Sequence, residues 1–298
     1  MKLITNYMKE DSLRHKLNKL TQEVFCFDFE DWVKNNYFEG EYIPFSYLAD
    51  EEIASNVSVN LMKFSLLNEE INLIQIGTVM TKNGFRHQNL ASSLMKMVID
   101  TYKNQCDGIY LFGDLKAQGF YEKLGFKKIN QYSYYLKEKY VKLIQNQTKY
   151  NNNQLFIEID KSDKKLINKY LDYVKNGILY GSFEQINRFG LQMFYTQYFN
   201  NIYYSLELDT FIVLEKEGEL LIVQSVICNK YIPFLEIISR INIPFNSLQL
   251  GFTPRIEEEK FFDAKLYDGG EDYRLFYIGD KLIDIENKKL FFPILSHA

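Results

Sequence analysis

The residues with the clearest chemical capacity lie in two segments. In the first, an apolar run from Ile71 to Val79 is followed by Met80 and Thr81. A short basic and polar stretch, Arg86, His87, Gln88, Asn89, Leu90 and Ala91, then leads through Ser92 into a helix-like pattern ending at Tyr102. A strand, a loop and a helix in this order present free backbone N–H groups to an anion, and the helix dipole adds to the attraction. The second segment runs Leu111 to Asp114, then Phe120, Tyr121 and on to Gly125 and Phe126. It reads as a strand, a short helix carrying a tyrosine, and a glycine turn into another strand. A phenol with a pKa of about 10 is protonated at neutral pH and donates a proton to a leaving group. Together the segments predict phosphate-anchored group transfer.

The elements that must hold these residues follow from periodicity. Residues 6–24 read as a helix with Leu13, Leu17, Leu20 and Val24 on one stripe. Tyr42 to Leu48, Ile53 to Leu61, Gly108 to Phe112 and Tyr132 to Leu136 read as strands. The polar, asparagine-rich stretch 143–154 predicts a boundary, giving units at 1–145 and 155–298. In the second unit a helix is expected near Lys164 to Tyr173, and an aromatic-rich helical stretch over about 183–199. A hairpin from Thr210 to Val226 turns at Gly218, a short helix spans Ile232 to Ile241, and a strand spans Ser247 to Phe252. This order repeats that of the first unit, without a comparable anion loop before Pro233.

Composition limits the function classes. The chain has 298 residues, 46% of them hydrophobic, enough to build a core. With 23 Tyr and 24 Phe against one Trp, most aromatics must be core or pocket wall. The formal charge is −4, which argues against nucleic acid as a partner and suits a cationic small molecule. Cys26, Cys106 and Cys228 have no metal or disulfide spacing, and the three histidines form no metal-like cluster. The N-terminal segment lacks the apolar core of a signal peptide, and no apolar run reaches the roughly 18 residues of a membrane span. The expectation is a cytoplasmic protein without metal or membrane partner; self-association into a homo-oligomer is left open.

Arg86 to Ala91 resembles the Arg/Gln-x-x-Gly-x-Gly/Ala loop of the GNAT superfamily of N-acyltransferases, and Phe120 to Phe126 resembles the family's aromatic-Tyr-x-x-x-Gly-Phe ending. The resemblance covers roughly residues 1–140. It implies an α+β fold, a mixed sheet flanked by helices; the repeated element order makes the second α+β unit a candidate degenerate copy of it. It also implies acetyl-CoA as co-substrate. Backbone N–H groups of Arg86, His87, Gln88, Asn89, Leu90, Ala91 and Ser92 would hold the pyrophosphate. Val79, Met80 and Thr81 would line the pantetheine arm, and Asp114 stands where relatives carry a cofactor-touching asparagine. Tyr121 would be the general acid. His87 and Asn89 replace family glycines; Asn tolerates left-handed dihedrals better than most residues. Asp114 could instead cap the helix of Tyr121.

The base and the acceptor site are less legible. Asp28, Glu30 and Asp31, with Trp32 as a wall, are candidates for holding a cationic acceptor. The last residues, Leu290 to Ala298, are apolar where chain ends are usually polar. This resembles acetyltransferases of the enhanced intracellular survival type, whose terminal carboxylate serves as base; the resemblance puts that role on Ala298, with His297 beside it. The expected function is transfer of an acetyl group from acetyl-CoA to an amine of a small, cationic molecule or peptide. The alternatives are a catalytically weak or inactive CoA-binding regulatory module and a tandem aminoacyl transferase.

Overall fold

A computed structural model describes residues 1–145, 154–270 and 273–298. The first half supplies strands β1 (Lys2–Thr5), β2 (Tyr42–Ala49), β3 (Glu52–Leu66), β4 (Glu69–Thr81), β5 (Gly108–Gly113), β6 (Lys127–Ile129) and β7 (Gln131–Leu136). The second supplies β8 (Ile157–Glu158), β9 (Phe183–Gln185), β10 (Ile202–Ser205), β11 (Thr210–Glu217), β12 (Leu220–Cys228), β13 (Ser247–Leu250), β14 (Phe262–Tyr267) and β15 (Arg274–Ile278). The helices that matter here are α1 (Asp11–Phe25), α2 (Glu30–Lys34), α3 (Leu90–Tyr102), α4 (Gln118–Glu122), α5 (Glu138–Gln145), α6 (Lys164–Asn176), α7 (Phe189–Thr196) and α8 (Phe234–Ser239).

The strands form two mixed sheets, each flanked by helices, as an α+β reading requires. One has the order β1-β2-β3-β4-β5-β15-β6, with β9 on the far part of β3; the other has β14-β7-β13-β12-β11-β10-β8. Local sequence sets the hairpins. Asp50-Glu51 and Leu67-Asn68 all have positive φ, as two-residue type I′ turns need. In each sheet an antiparallel hairpin (β3/β4, β11/β12) is followed by a parallel neighbour (β5, β13) reached through a helix, α3 or α8. The helix is needed because parallel strands cannot be joined by a tight turn. α3 buries Leu94, Met95 and Val98 against Val57, Val59, Ile74 and Ile76.

The two halves exchange strands. Tyr132–Leu136, expected as a strand of the first unit, lies in the second sheet, where β7 pairs with β13 and β14. Its place beside β5 is taken by β15, in register from Ile109↔Ile278 to Gly113↔Arg274. The aromatic alternation of β7 marks a strand but carries no information about which sheet receives it. The centre of the expected boundary, 146–153, lies outside the described residues, and the sheets do not divide there. The helical expectation over 183–199 also needs correction. Phe183–Gln185 is a strand paired with β3, and helix α7 begins only at Phe189.

The segment 290–298 ties the sheets together without forming a strand. Tyr132 N–H donates to the Leu290 carbonyl, Phe291 exchanges two hydrogen bonds with the Thr253 hydroxyl, and Ile294 N–H donates to Gly251 of the second unit. Phe292 is fully buried, stacked on Tyr110 at 4.4 Å and edge-on to Phe183 at 4.9 Å and Phe64 at 5.4 Å.

Candidate active site

The site begins where β4 and β5 part. Their parallel pairing runs from Leu73↔Gly108 to Ile76↔Leu111 and then stops, although both strands continue. The register of β4 against β3 shifts between Asn56 and Ser58, and Thr78 is forced to φ 43°. A β-branched residue at positive φ is strained and persists only where its surroundings over-determine it. Here a buried polar network does so. Asn56 Nδ2 donates to the Thr78 carbonyl at 2.9 Å, the Tyr42 hydroxyl bonds Thr78 Oγ1 at 2.7 Å, and Ser58 Oγ donates to Tyr42 at 2.6 Å. The bulge turns β4 away from β5 and opens a wedge.

A cavity of about 680 Å³ fills this wedge, lined by Val79, Asp114, Tyr121, His297 and Ala298 among others. Tyr121 reaches it because residue 113 is glycine: a Cβ there would lie 2.6 Å from the tyrosine ring. Burial, with a smaller contribution from the Asp114 charge, pushes the Tyr121 pKa up to about 12. Among the described residues its hydroxyl has no hydrogen-bond partner. It is therefore a protonated donor open to the cavity. Asp114 does cap: its Oδ1 accepts from Lys116 N–H at 2.7 Å.

Ala298 sits in the wedge against Gly77, where a Cβ would approach its carbonyl oxygen to 2.7 Å. Gln75, with its amide turned to suit its neighbours, accepts from Ala298 N–H at 2.7 Å and donates to the Ser296 carbonyl at 2.9 Å. Tyr195 donates to the His297 carbonyl at 2.6 Å. The His297 ring stacks on Phe112 at 3.9 Å, and burial lowers its pKa from the ordinary 6.5 to about 3. It is neutral at pH 7, with a buried and unpartnered Nε2. Because the unfolded chain takes up this proton first, stability is fully present above about pH 6.5 and falls as pH drops towards about 3. The urea midpoint of the wild type is expected to decline across that window, and that of His297→Gln to decline less. Parallel profiles would show that His297 is not the group responsible.

The loop after β4 lines a separate, open groove of about 610 Å³ with Thr81, Arg86, His87, Gln88, Asn89, Leu90, Ala91 and Ser92. His87 has φ 64° and Asn89 φ 59°. These two positions, expected to need glycine-like freedom, adopt left-handed backbone without glycine. No side chain caps the N-terminus of α3, so its first N–H groups face the groove. Arg86, Lys96 and Lys123 surround it, and none of the three is held in an ion pair among the described residues. Met80, by contrast, turns its side chain into the core beside Ile53 and Leu20, and its carbonyl accepts from Ser55 Oγ at 2.8 Å.

The acidic segment lies elsewhere than expected. Asp28 accepts from Glu30 N–H at 2.9 Å and from Gln22, and Asp31 accepts from the Tyr198 hydroxyl at 3.0 Å. Glu30 is held by Arg14 at 2.9 Å and Asn18 at 2.7 Å, and the Arg14 hydrogen bond keeps its carboxyl below the usual range. None of the three carboxylates lines the cavity; Trp32 does. The local pattern, Asp28 just before a short helix with Glu30 and Asp31 in its first turn, is a helix-start pattern, and the ion pair with Arg14 is a tertiary event. Missed by sequence reasoning were Phe194, Tyr195 and Tyr273, which complete the cavity wall. The first two stood in a stretch read as an aromatic helix, and no local signal separates a cavity aromatic from a core one.

In the second unit the corresponding helix N-terminus is occupied by the protein itself. At the start of α8 its own Glu258 accepts from Phe234 N–H and the Tyr231 hydroxyl, both at 2.7 Å.

A family model described as an acetyltransferase (GNAT) domain matches residues 9–129. No curated protein matches the chain in sequence. Three solved structures share its architecture. A probable N-acyltransferase from Enterococcus faecalis is 14% identical, with 93% of this chain and 72% of that one aligned at a TM-score of 0.52. A GCN5-related N-acetyltransferase from Kribbella flavida is 12% identical, with 93% and 71% aligned at 0.52. Eis1 from Mycobacterium abscessus is 7% identical, with 92% and 73% aligned at 0.56. At these identities the likeness is one of fold. The chain has the GNAT acetyltransferase fold, in two units.

Proposed function

We propose that this protein is an acetyl-CoA-dependent N-acetyltransferase acting on the amine of a small molecule. The observation that carries this reading is the joining of two features: a cation-rich groove over a helix N-terminus, and, across the end of β4, a cavity holding a protonated, unpartnered tyrosine. The groove suits a pyrophosphate, bound by backbone N–H groups from Arg86 to Ser92. Val79 lines the cavity and Thr81 the groove, so the pantetheine arm runs between them along the free edge of β4.

In the cavity the neutral amine attacks the thioester carbonyl. The C–N bond forms, the C–S bond breaks, and Tyr121 gives its proton to the departing sulfur. The ammonium proton of the tetrahedral intermediate must leave to a base. A chain that stops at Ala298 puts a carboxylate in the wedge, and we assign that role to it. His297 is too weak a base for the task at a pKa of about 3. Extending the chain by several residues past Ala298 is then expected to lower kcat by at least ~100-fold with the fold intact. Full activity of the extended chain would remove Ala298 from the chemistry. The three free cysteines suit a reducing, cytoplasmic setting, and no helix among the described residues is long and apolar enough to cross a membrane.

The direct test is thiol release from acetyl-CoA over a broad amine panel, with the amide product identified by mass. Acetyl-CoA binding without turnover on any amine would favour the non-catalytic module. Arg86→Ala, Lys96→Ala and Lys123→Ala are each expected to weaken CoA binding by about 3–10-fold and to flatten its salt dependence. Calorimetric titration at low and high salt measures both; unchanged affinity in all three variants would move the anion elsewhere.

A further inference from the structure

We infer that the acceptor is a primary amine on a flat aromatic body, an arylalkylamine, and that it is not a polycation. This rests on the acyl-transfer reading above and names the substrate class of that same cavity. It rests on the aromatic wall of the cavity. It is built from the end of α1 and the turn into α2, which supply Phe25, Phe27 and Phe29, and from α7, which supplies Phe194 and Tyr195. Phe27 meets Phe194 edge-on at 5.5 Å, closing the wall across the two halves of the chain.

Phe25 is 46% exposed and Tyr195 45%, although both line a concavity. The Tyr195 hydroxyl is already committed to the His297 carbonyl, so what remains open is the face of its ring. Bare aromatic surface in a concavity of this size gains free energy by covering a flat apolar group, with ring–ring geometry adding to simple burial.

Charge points the same way. Among the described residues lining the cavity, Asp114 is the one charged side chain, joined by a carboxylate at Ala298 where the chain ends there. Asp28, Glu30 and Asp31 are turned away and already partnered. That inventory suits a single amine; a compound with several ammonium groups would leave most of them desolvated and unpaired, which is costly. The aromatic body therefore rests on Phe27, Phe194 and Tyr195, and its amine extends towards Gly77 and Val79.

Trp32 is the single tryptophan of the chain and lines this cavity, so its fluorescence reports occupancy independently of turnover. The experiment titrates 2-phenylethylamine and spermidine, separately, into the full chain with CoA bound. Thiol release from acetyl-CoA is then measured for both amines. Saturable quenching by 2-phenylethylamine is expected, with spermidine at least ~10-fold weaker. Phe27→Ala and Phe194→Ala should each weaken the aromatic amine about tenfold. CoA affinity, unchanged in both variants, shows that they remain folded. Equal or stronger binding of spermidine, no binding of 2-phenylethylamine, or indifference to both substitutions overturns the inference. Binding of 2-phenylethylamine without thiol release sinks the transfer reading and leaves the acceptor class standing. Thiol release with spermidine alone does the reverse.

Discussion

Tyr121→Phe is expected to lower kcat by about 100–1,000-fold while leaving the affinity for CoA unchanged. The substitution is clean. Among the described residues the hydroxyl has no partner to leave unsatisfied, and the ring keeps its contacts with Phe126 and Phe276 and its place under Gly113. Stability should therefore change by less than ~1 kcal/mol. On the proposed mechanism, what is lost is the proton that meets the departing thiolate. Because burial holds the phenol near 12, the group stays protonated through pH 10, where a free phenol would be half ionised. The rate should not fall at pH 10 from ionisation of this group. Single-turnover kinetics of variant and wild type decide the matter. A Tyr121→Phe enzyme within a factor of about three of wild type would remove Tyr121 from the chemistry.

The second large effect is structural. Phe292→Ala is expected to cost about 3–5 kcal/mol of stability. The ring is fully enclosed by Phe64, Tyr110, Phe112 and Phe183, which come from β3, β5 and β9. These neighbours are held by their own strands and cannot collapse into the space, so the cavity persists. Phe292→Leu, which keeps more of the volume, should cost distinctly less. The same change loosens the segment from Pro293 to Ala298, which ends in the wedge, so turnover of the folded fraction should also drop. Urea titration and steady-state kinetics read the two effects separately. A loss below ~1 kcal/mol for Phe292→Ala would mean that this ring does not join the sheets.

Some of this architecture is legible locally. The alternation of Ile71 to Val79, the polar loop from Arg86 to Asn89, and the helix stripe of Leu94 and Val98 are short-range patterns. The structure holds them as β4, loop and α3. The left-handed backbone at His87 and Asn89 is foreshadowed at Asn89, a residue type that tolerates it; at His87 the chain imposes it. Tyr121 follows from the spacing to Gly125 and Phe126, which fixes a short helix and a turn. The acidic stretch Asp28 to Asp31 shows the limit of the same approach. Residue type suggested a cation site, but the partners that occupy Glu30 and Asp31, namely Arg14, Asn18 and Tyr198, lie 16, 12 and 167 residues away.

The sequence by itself determined most of the elements, among them β4, the polar loop after it, α3 and the short helix of Tyr121, because each depends on residues within about one turn or one strand of each other. Tertiary structure alone decided three things. It exchanged β7 and β15 between the sheets, because an alternating strand fits any sheet whose open edge matches its register. It brought Gln75, Tyr195 and Ala298 to one point, through side chains more than a hundred residues apart. And it lined the cavity wall with aromatic rings while turning Asp28, Glu30 and Asp31 away from it to other partners. Which face of an element meets a cavity is set by packing across the whole molecule.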